Sequence, residues 1–268
     1  MAVTDSAINP PPLADIARLT TAIGRGLMQA GATTDVVHSS IIDAAKGLGC
    51  TEAEVYAQHA ALIVTLRRGT ESYTHMGKVG EHGTNLRIAS SLRKLVEHIQ
   101  DGTLDLAAAK KVLKDVPTTT KKYPVWVVAL ATGLACAGFG RLILSDWRVE
   151  WVVFIPTCLG TAVGQWLRHT MLHKHLNFYL MVTSVAFTSA FIAGLGSRLV
   201  HSTKWELATV AATLLLVPGT AMFNAQLDIL HGKPSLAAAR VVRIMFILLF
   251  LSLGLILAQR IITLIPLP

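Results

Sequence analysis

From Pro124 onward the chain is a succession of apolar runs separated by short charged loops. Five runs are counted, over about 124–144, 150–168, 178–199, 206–230 and 241–262, each close to the roughly 20 residues a helix needs to cross the hydrocarbon layer. Inside lipid every backbone N–H and C=O must be satisfied within its own segment, so such runs fold as helices. Residues 1–122 are different, with charges throughout. At 52% hydrophobic residues and a mean hydropathy of +0.52, the 268-residue chain is too apolar for an ordinary soluble enzyme. The expected fold class is an α-helical integral membrane protein, with about five transmembrane helices and a small N-terminal α+β cytoplasmic domain.

Three regions are expected: a disordered lead-in over 1–13, a cytoplasmic α+β domain over 14–122, and a transmembrane domain over 123–268. The lead-in contains a triple proline and lacks the basic, then apolar, pattern of a secretory signal. In the domain, apolar spacing predicts helices over 14–30 and about 34–46, the second N-capped by Thr34 or Asp35. Three β-like runs follow (Val55–His59, Leu62–Arg67, Ser72–Met76), then helices over Asn85–Gln100 and Leu104–Val116. Pro117–Lys122 reads as a linker.

Charge sets the expected topology. The formal charge is +8, and residues 123–268 hold ten basic and four acidic residues, a net +6. That placement points to lipid headgroups rather than nucleic acid, and residues 1–122 show no basic stripe interleaved with aromatics. With the domain on the cytoplasmic side, ten Lys/Arg of the short loops and span ends lie inside and five outside. The positive-inside rule therefore predicts a cytoplasmic N-terminus and, after five spans, a C-terminus outside. The three cysteines, Cys50, Cys136 and Cys158, form no CxxC and suggest neither a disulfide framework nor a zinc site.

The fourth run is unusual because it carries Pro218-Gly219 at its centre, followed by Thr220, Asn224 and Asp228. Proline has no N–H and clashes with the carbonyl of Leu214, so the helix is expected to kink or open there. Broken backbone at membrane depth is tolerated where protein or a water-filled cavity satisfies it. Transporters often place substrate sites at such breaks. Thr220, Asn224 and Asp228 recur every four residues and share one helical face, each about 40° round from the last. That face is expected to point into protein or water, with Asp228 either in the pathway or at the interface. Pro218 is otherwise a structural kink.

Other candidates are weaker. Gln165 and Arg168 close the second run, where Arg168 could attract a carboxylate or act as a snorkelling anchor, an ambiguity shared by Arg141. His169, His173 and His175 fall in an expected 168–177 loop, and no metal site is expected there. Gly160 and Gly164 form a GxxxG that suits packing within the chain or a seam with a partner subunit. Ser72, His75, His59 and Cys50 are nucleophile or base types without a catalytic motif. The glycine-rich Gly77–Gly83 stretch is neither a P-loop nor a dinucleotide fingerprint, so no catalytic residue and no cofactor are expected.

Three stretches resemble the threonine/serine exporter family, specifically its N-terminal-type half: GLMQAGATTDVVHSSIIDAAKGLGC, THMGKVGEHGTNLRIASSLRKLVEHI and LLVPGTAMFNAQLDILHGKPSLAAAR. The last is the most specific, with VPG, Asn, Asp and a downstream Arg in the family's order. The resemblance covers about residues 14–262. It departs at Thr33–His38, where relatives often carry an acidic or Arg/Glu-containing stretch. Some members of the family are one long chain; others are split, as in the bacterial succinate exporter pair, and this chain matches the larger piece.

The resemblance implies a separately encoded smaller membrane subunit as partner, or a homo-oligomer. It implies export of threonine, serine or a dicarboxylate, coupling to the proton gradient, and a substrate pathway including Pro218, Gly219, Asn224, Asp228 and Arg240, to which the shared helical face adds Thr220. The expected function is thus a secondary exporter subunit in the inner membrane. The alternative is a membrane-tethered regulatory or assembly protein with a ligand-binding soluble domain. A membrane-bound hydrolase is the least favoured class.

Overall fold

The computed structural model describes residues 11–119, 123–143, 151–174 and 176–266. Residues 1–10 of the expected lead-in, residues 120–122 of the expected linker, residues 144–150 and His175 lie outside them. The chain forms two compact units, Met1–Lys121 with Thr220–Val241, and Lys122–Gly219 with Val242–Pro268.

In the first unit, α1 (Leu13–Gln29) and α2 (Thr34–Gly47) precede a three-stranded antiparallel sheet of β1 (Glu52–Ala57), β2 (Ala61–Arg68) and β3 (Glu71–Lys78), with β2 central. Alternation along β2 explains the layering. Leu62, Val64 and Leu66 are fully buried in one core with Ile16, Ile23 and Ile41. The opposite face is exposed and mostly polar, with Arg67 bridging Glu52 (2.9 Å) and Glu54 (3.2 Å), and with Tyr56, Ile63 and Met76 side by side across it. This division is typical of an antiparallel sheet covered on one side. β1 starts earlier than its apolar run suggested, because Glu52 pairs in register with Arg67, and His59 falls beyond the strand.

Helix α3 (Leu86–Gln100) is capped by Asn85, whose Oδ1 accepts from the Ile88 N–H (3.2 Å). α4 runs over Leu106–Thr119 rather than ending at Val116. Asp105 caps its start, accepting from Ala108 N–H at 2.8 Å. Pro117 sits in the last turn, where it removes the N–H that would reach back to the Leu113 carbonyl, and the Thr118 and Thr119 hydroxyls donate to the Asp115 carbonyl. The expected linker is therefore helical up to Thr119. The unit is completed by α9 (Gly219–Leu230), from Thr220 onward, and the first residues of α10 (Pro234–Leu264).

The second unit holds α5 (Val125–Ile143), α6 (Trp151–His173), α7 (Phe178–Leu199), α8 (Trp205–Thr213), a 3-10 turn over Leu214–Leu216, and the rest of α10. Small residues set its close contacts. A Cβ on Gly160 would lie 2.5 Å from the Ser189 carbonyl oxygen, and one on Gly164 would overlap the Ser189 hydroxyl. The GxxxG is thus a packing seam between α6 and α7, as small residues allow in lipid. Polar side chains tie the bundle: Gln259 Nε2 donates to Thr209 Oγ1 (2.8 Å), and Thr183 Oγ1 donates to the Phe250 carbonyl (3.1 Å).

By length and composition, α5, α7 and α10 can each cross a membrane, and a fourth span counts if Trp205–Leu216 and Gly219–Leu230 form one bent span. α6 has 23 residues but falls outside that group, diluted by Gln165, Arg168, His169 and His173. It extends past Arg168, so His169 and His173 are helical rather than in a loop. The chain is a helical, multi-pass membrane protein with a small α+β unit.

Candidate functional site around Asp228 and Arg240

The fourth apolar run is broken where proline requires it. α8 ends at Thr213, the 3-10 turn ends at Leu216, Val217 is extended (φ −63°, ψ 123°), and α9 restarts at Gly219. No heavy atom lies within 4 Å of where a Gly219 Cβ would stand, so that glycine is not required by packing.

Thr220 and Asn224 meet the loop joining α1 to α2, and Asp228 meets the first residue of α2. A Cβ on Gly31 would come within 3.6 Å of Thr220 Cγ2 and 2.8 Å of the Gly83 carbonyl oxygen. Gly31 also has φ +85°, so glycine is demanded both by backbone and by space. Asn224 Nδ2 donates to the carbonyls of Gly31 (3.1 Å) and Ala32 (3.4 Å). One turn on, Asp228 Oδ1 accepts from the Thr34 hydroxyl at 2.6 Å.

Arg240 completes the cluster from α10. Its NH1 lies 2.8 Å from Asp228 Oδ2, and its NH2 donates to Thr34 Oγ1 at 3.3 Å. Asp228 is 2% exposed and Arg240 6%. Although NH1 and Oδ2 are in ion-pair contact, they are not aligned for a hydrogen bond, and neither atom has another hydrogen-bond partner. A buried carboxylate and guanidinium therefore retain unused hydrogen-bonding capacity. Beside them, half-exposed Asp35 receives Lys233 Nζ (3.0 Å) and His231 Nδ1 (2.5 Å). The Lys233 hydrogen bond, reinforced by its charge and by that of His231, holds the Asp35 carboxyl below the usual carboxylate range.

Pattern reading missed Thr34, Asp35, His231 and Lys233 as members of this cluster. Thr34 was a candidate cap, but Thr33 caps α2, accepting from Val36 N–H (3.4 Å), which leaves the Thr34 hydroxyl for Asp228. The available signal was a buried acid in need of partners, and His231, Lys233 and Arg240 stand in the same quoted stretch.

Gln165 and Arg168 lie on α6 in the second unit, where the Arg168 Nε is enclosed without a hydrogen-bond partner. The catalytic candidates do not assemble. Ser72 is opposite Arg67 on the polar face of the sheet, whereas His75 is opposite buried Val64 on the other. His59 stacks on His82 with ring centroids 4.4 Å apart. Cys50 is buried, which pushes its thiol up, away from the reactive thiolate. Nε2 of His169 and His173 are 3.2 Å apart, and no group of three possible metal ligands occurs among the described residues.

The family described as "Putative threonine/serine exporter" matches residues 18–262. The chain belongs to this exporter family. It is a transporter rather than an enzyme. The chain is 28% identical to the "Probable succinate transporter subunit YjjP" of Escherichia coli K12 over 226 residues, covering 84% of this chain and 86% of the relative. Against the Klebsiella aerogenes protein with the same printed name it is 28% identical over 215 residues, covering 80% and 81%. An uncharacterized Haemophilus influenzae protein is 22% identical over 237 residues, covering 76% and 78%. No solved structure gives a significant match to this exporter-family chain.

Proposed function

We propose that the chain is one subunit of a secondary exporter of small carboxylate-bearing metabolites: threonine, serine, or a dicarboxylate such as succinate. The observation that carries this reading is the Asp228–Arg240 pair, buried but imperfectly bonded, just past a broken helix. A substrate carboxylate offers Arg240 the same acceptor atoms as Asp228, in the bidentate geometry a guanidinium prefers. Protonation of Asp228 removes its charge and frees Arg240 for the substrate, so proton and carboxylate are carried together; when both are released the pair re-forms. Exchange of one carboxylate for another at one guanidinium thus couples export to a proton moving in the same direction, driven by the substrate's own gradient and without a cofactor. Thr220, Asn224 and the Pro218-Gly219 break form the approach, and Gln165 and Arg168 are further candidates.

We assign five spans, with the N-terminus cytoplasmic and the C-terminus outside, in the inner membrane. The length of α6, 23 residues, supports counting it as a span despite its polar end. The relatives' printed name, "subunit", supports a partner. We assign that role to a separately encoded smaller membrane subunit of the same family, or to a second copy of this chain.

The test is efflux from the native host with and without this gene, loaded in turn with labelled threonine, serine and succinate. Selective loss for one solute is expected. Unchanged efflux of all three would overturn the substrate class and favour a regulatory role.

A further inference from the structure

A cavity of about 330 Å³ lies in the first unit between α1, the start of α3 and the end of α4, far in sequence from Asp228 and Arg240. Its polar wall is Arg25, Gln29 and Asn85, and its apolar wall includes Leu92, Leu113 and Val116. The volume falls at the lower end of small-molecule pockets, and the lining has their usual character, mostly apolar with a few convergent polar groups.

Arg25 is the unexplained member. Its Nε is enclosed without a hydrogen-bond partner, and among the described residues no carboxylate pairs with its guanidinium. Enclosed donors are normally satisfied, and this Nε is not. The neighbouring glycines make room for these side chains. A Cβ on Gly77 would stand 2.7 Å from Arg25 Cδ, and one on Gly80 would stand 2.5 Å from Gln29 Nε2. The Gly77–Gly83 stretch, which matches no nucleotide motif, thus shapes the polar wall.

We infer that this cavity is a second small-molecule site, which binds a short aliphatic monocarboxylate with its carboxylate on Arg25 and its chain against Leu92, Leu113 and Val116. One guanidinium recognises one carboxylate, and Gln29 and Asn85 are neutral donors beside it. A second negative charge would be desolvated against the apolar wall without a partner, which disfavours dicarboxylates and phosphates. The site is independent of the transport reading.

The full chain, purified in lipid nanodiscs, is titrated with isovalerate and with isovaleramide by calorimetry. Saturable binding of isovalerate is expected. The amide is expected to bind about tenfold or more weakly, as is isovalerate to Arg25→Met, on the scale of one charge-assisted hydrogen bond. Arg25→Lys, which keeps the charge, is expected to retain part of the affinity, and Arg240→Gln to bind as wild type. Equal binding of acid and amide, unchanged binding by Arg25→Met, or no binding would overturn the inference. Loss of binding in Arg240→Gln with retention in Arg25→Met would also overturn it, by assigning the ligand to the transport cluster.

Discussion

Asp228 and Arg240 carry the functional reading at the residue scale, and their surroundings make the consequences of changing them specific. Removing one member of a buried ion pair leaves the other charged and unpaired, at a cost of about 3–5 kcal/mol. Asp228→Ala is therefore expected to lower the melting temperature as well as efflux. Asp228→Asn keeps the shape but likewise leaves Arg240 without its countercharge; at matched membrane amounts it is expected to reduce efflux at least about tenfold, because the proton-carrying group is lost. Thr34→Val removes a hydroxyl that donates to Asp228 and accepts from Arg240. It is expected to cost about 1.5–3 kcal/mol of stability in denaturant melts, the scale for hydrogen bonds to charged groups.

Asp35 gives a pH signature of a different kind. Its folded-state carboxyl is held below the ordinary range, chiefly by Lys233. Its contribution is complete above the unfolded value of about 3.9 and is lost as pH falls through the lower folded value. The stability difference between wild type and Asp35→Asn is expected to be present at pH 5, to start falling near the unfolded value of about 3.9 and to disappear only below the lower folded value, as read by thermal melts across that range. A difference that persisted unchanged to the most acidic pH would contradict the pairing. Asn224 and Asp228 could be found in the sequence because a polar group in an apolar run has few cheap placements. Thr34 could not, since a contact 194 residues away leaves no periodicity.

Elements show where pattern is sufficient and where pairing decides. α7 occupies the 178–199 run that its apolar residues mark, and Asn177 caps it by accepting from Tyr179 N–H (2.9 Å). The break at Pro218 was equally legible, because proline removes a donor wherever it stands. α10 was less so. At 31 residues it is about 46 Å long, well beyond a hydrocarbon layer of about 30 Å. Its first two turns carry Arg240 to Asp228, which hydropathy alone does not register. The GxxxG could be recognised as a contact surface, but its partner could not, since small residues fit any close helix. Gly164→Val is expected to split α6 from α7 at Ser189 and to reduce the monodisperse fraction after detergent extraction, measured by size-exclusion chromatography. Wild-type recovery would show that this seam is not needed for the fold.

For the whole molecule, the division into two compact units was half legible. Charge density marks residues 1–122 as a separate region, but no composition shift announces that Thr220–Val241 joins it. That joining makes the soluble region part of the transport machinery in this account, since Thr34 supplies one side of the Asp228 cluster. Expression of residues 123–268 alone is therefore expected to give no efflux even when the fragment reaches the membrane, as judged by fractionation and labelled-solute export.

The most direct measurement is efflux of labelled threonine, serine and succinate from the native host lacking this gene, complemented with wild type, Asp228→Asn or Arg240→Gln at matched membrane levels. Wild type is expected to restore efflux of at least one of these solutes, and neither variant is. Restoration by both variants at the wild-type rate would contradict the assignment of the carboxylate exchange to Asp228 and Arg240.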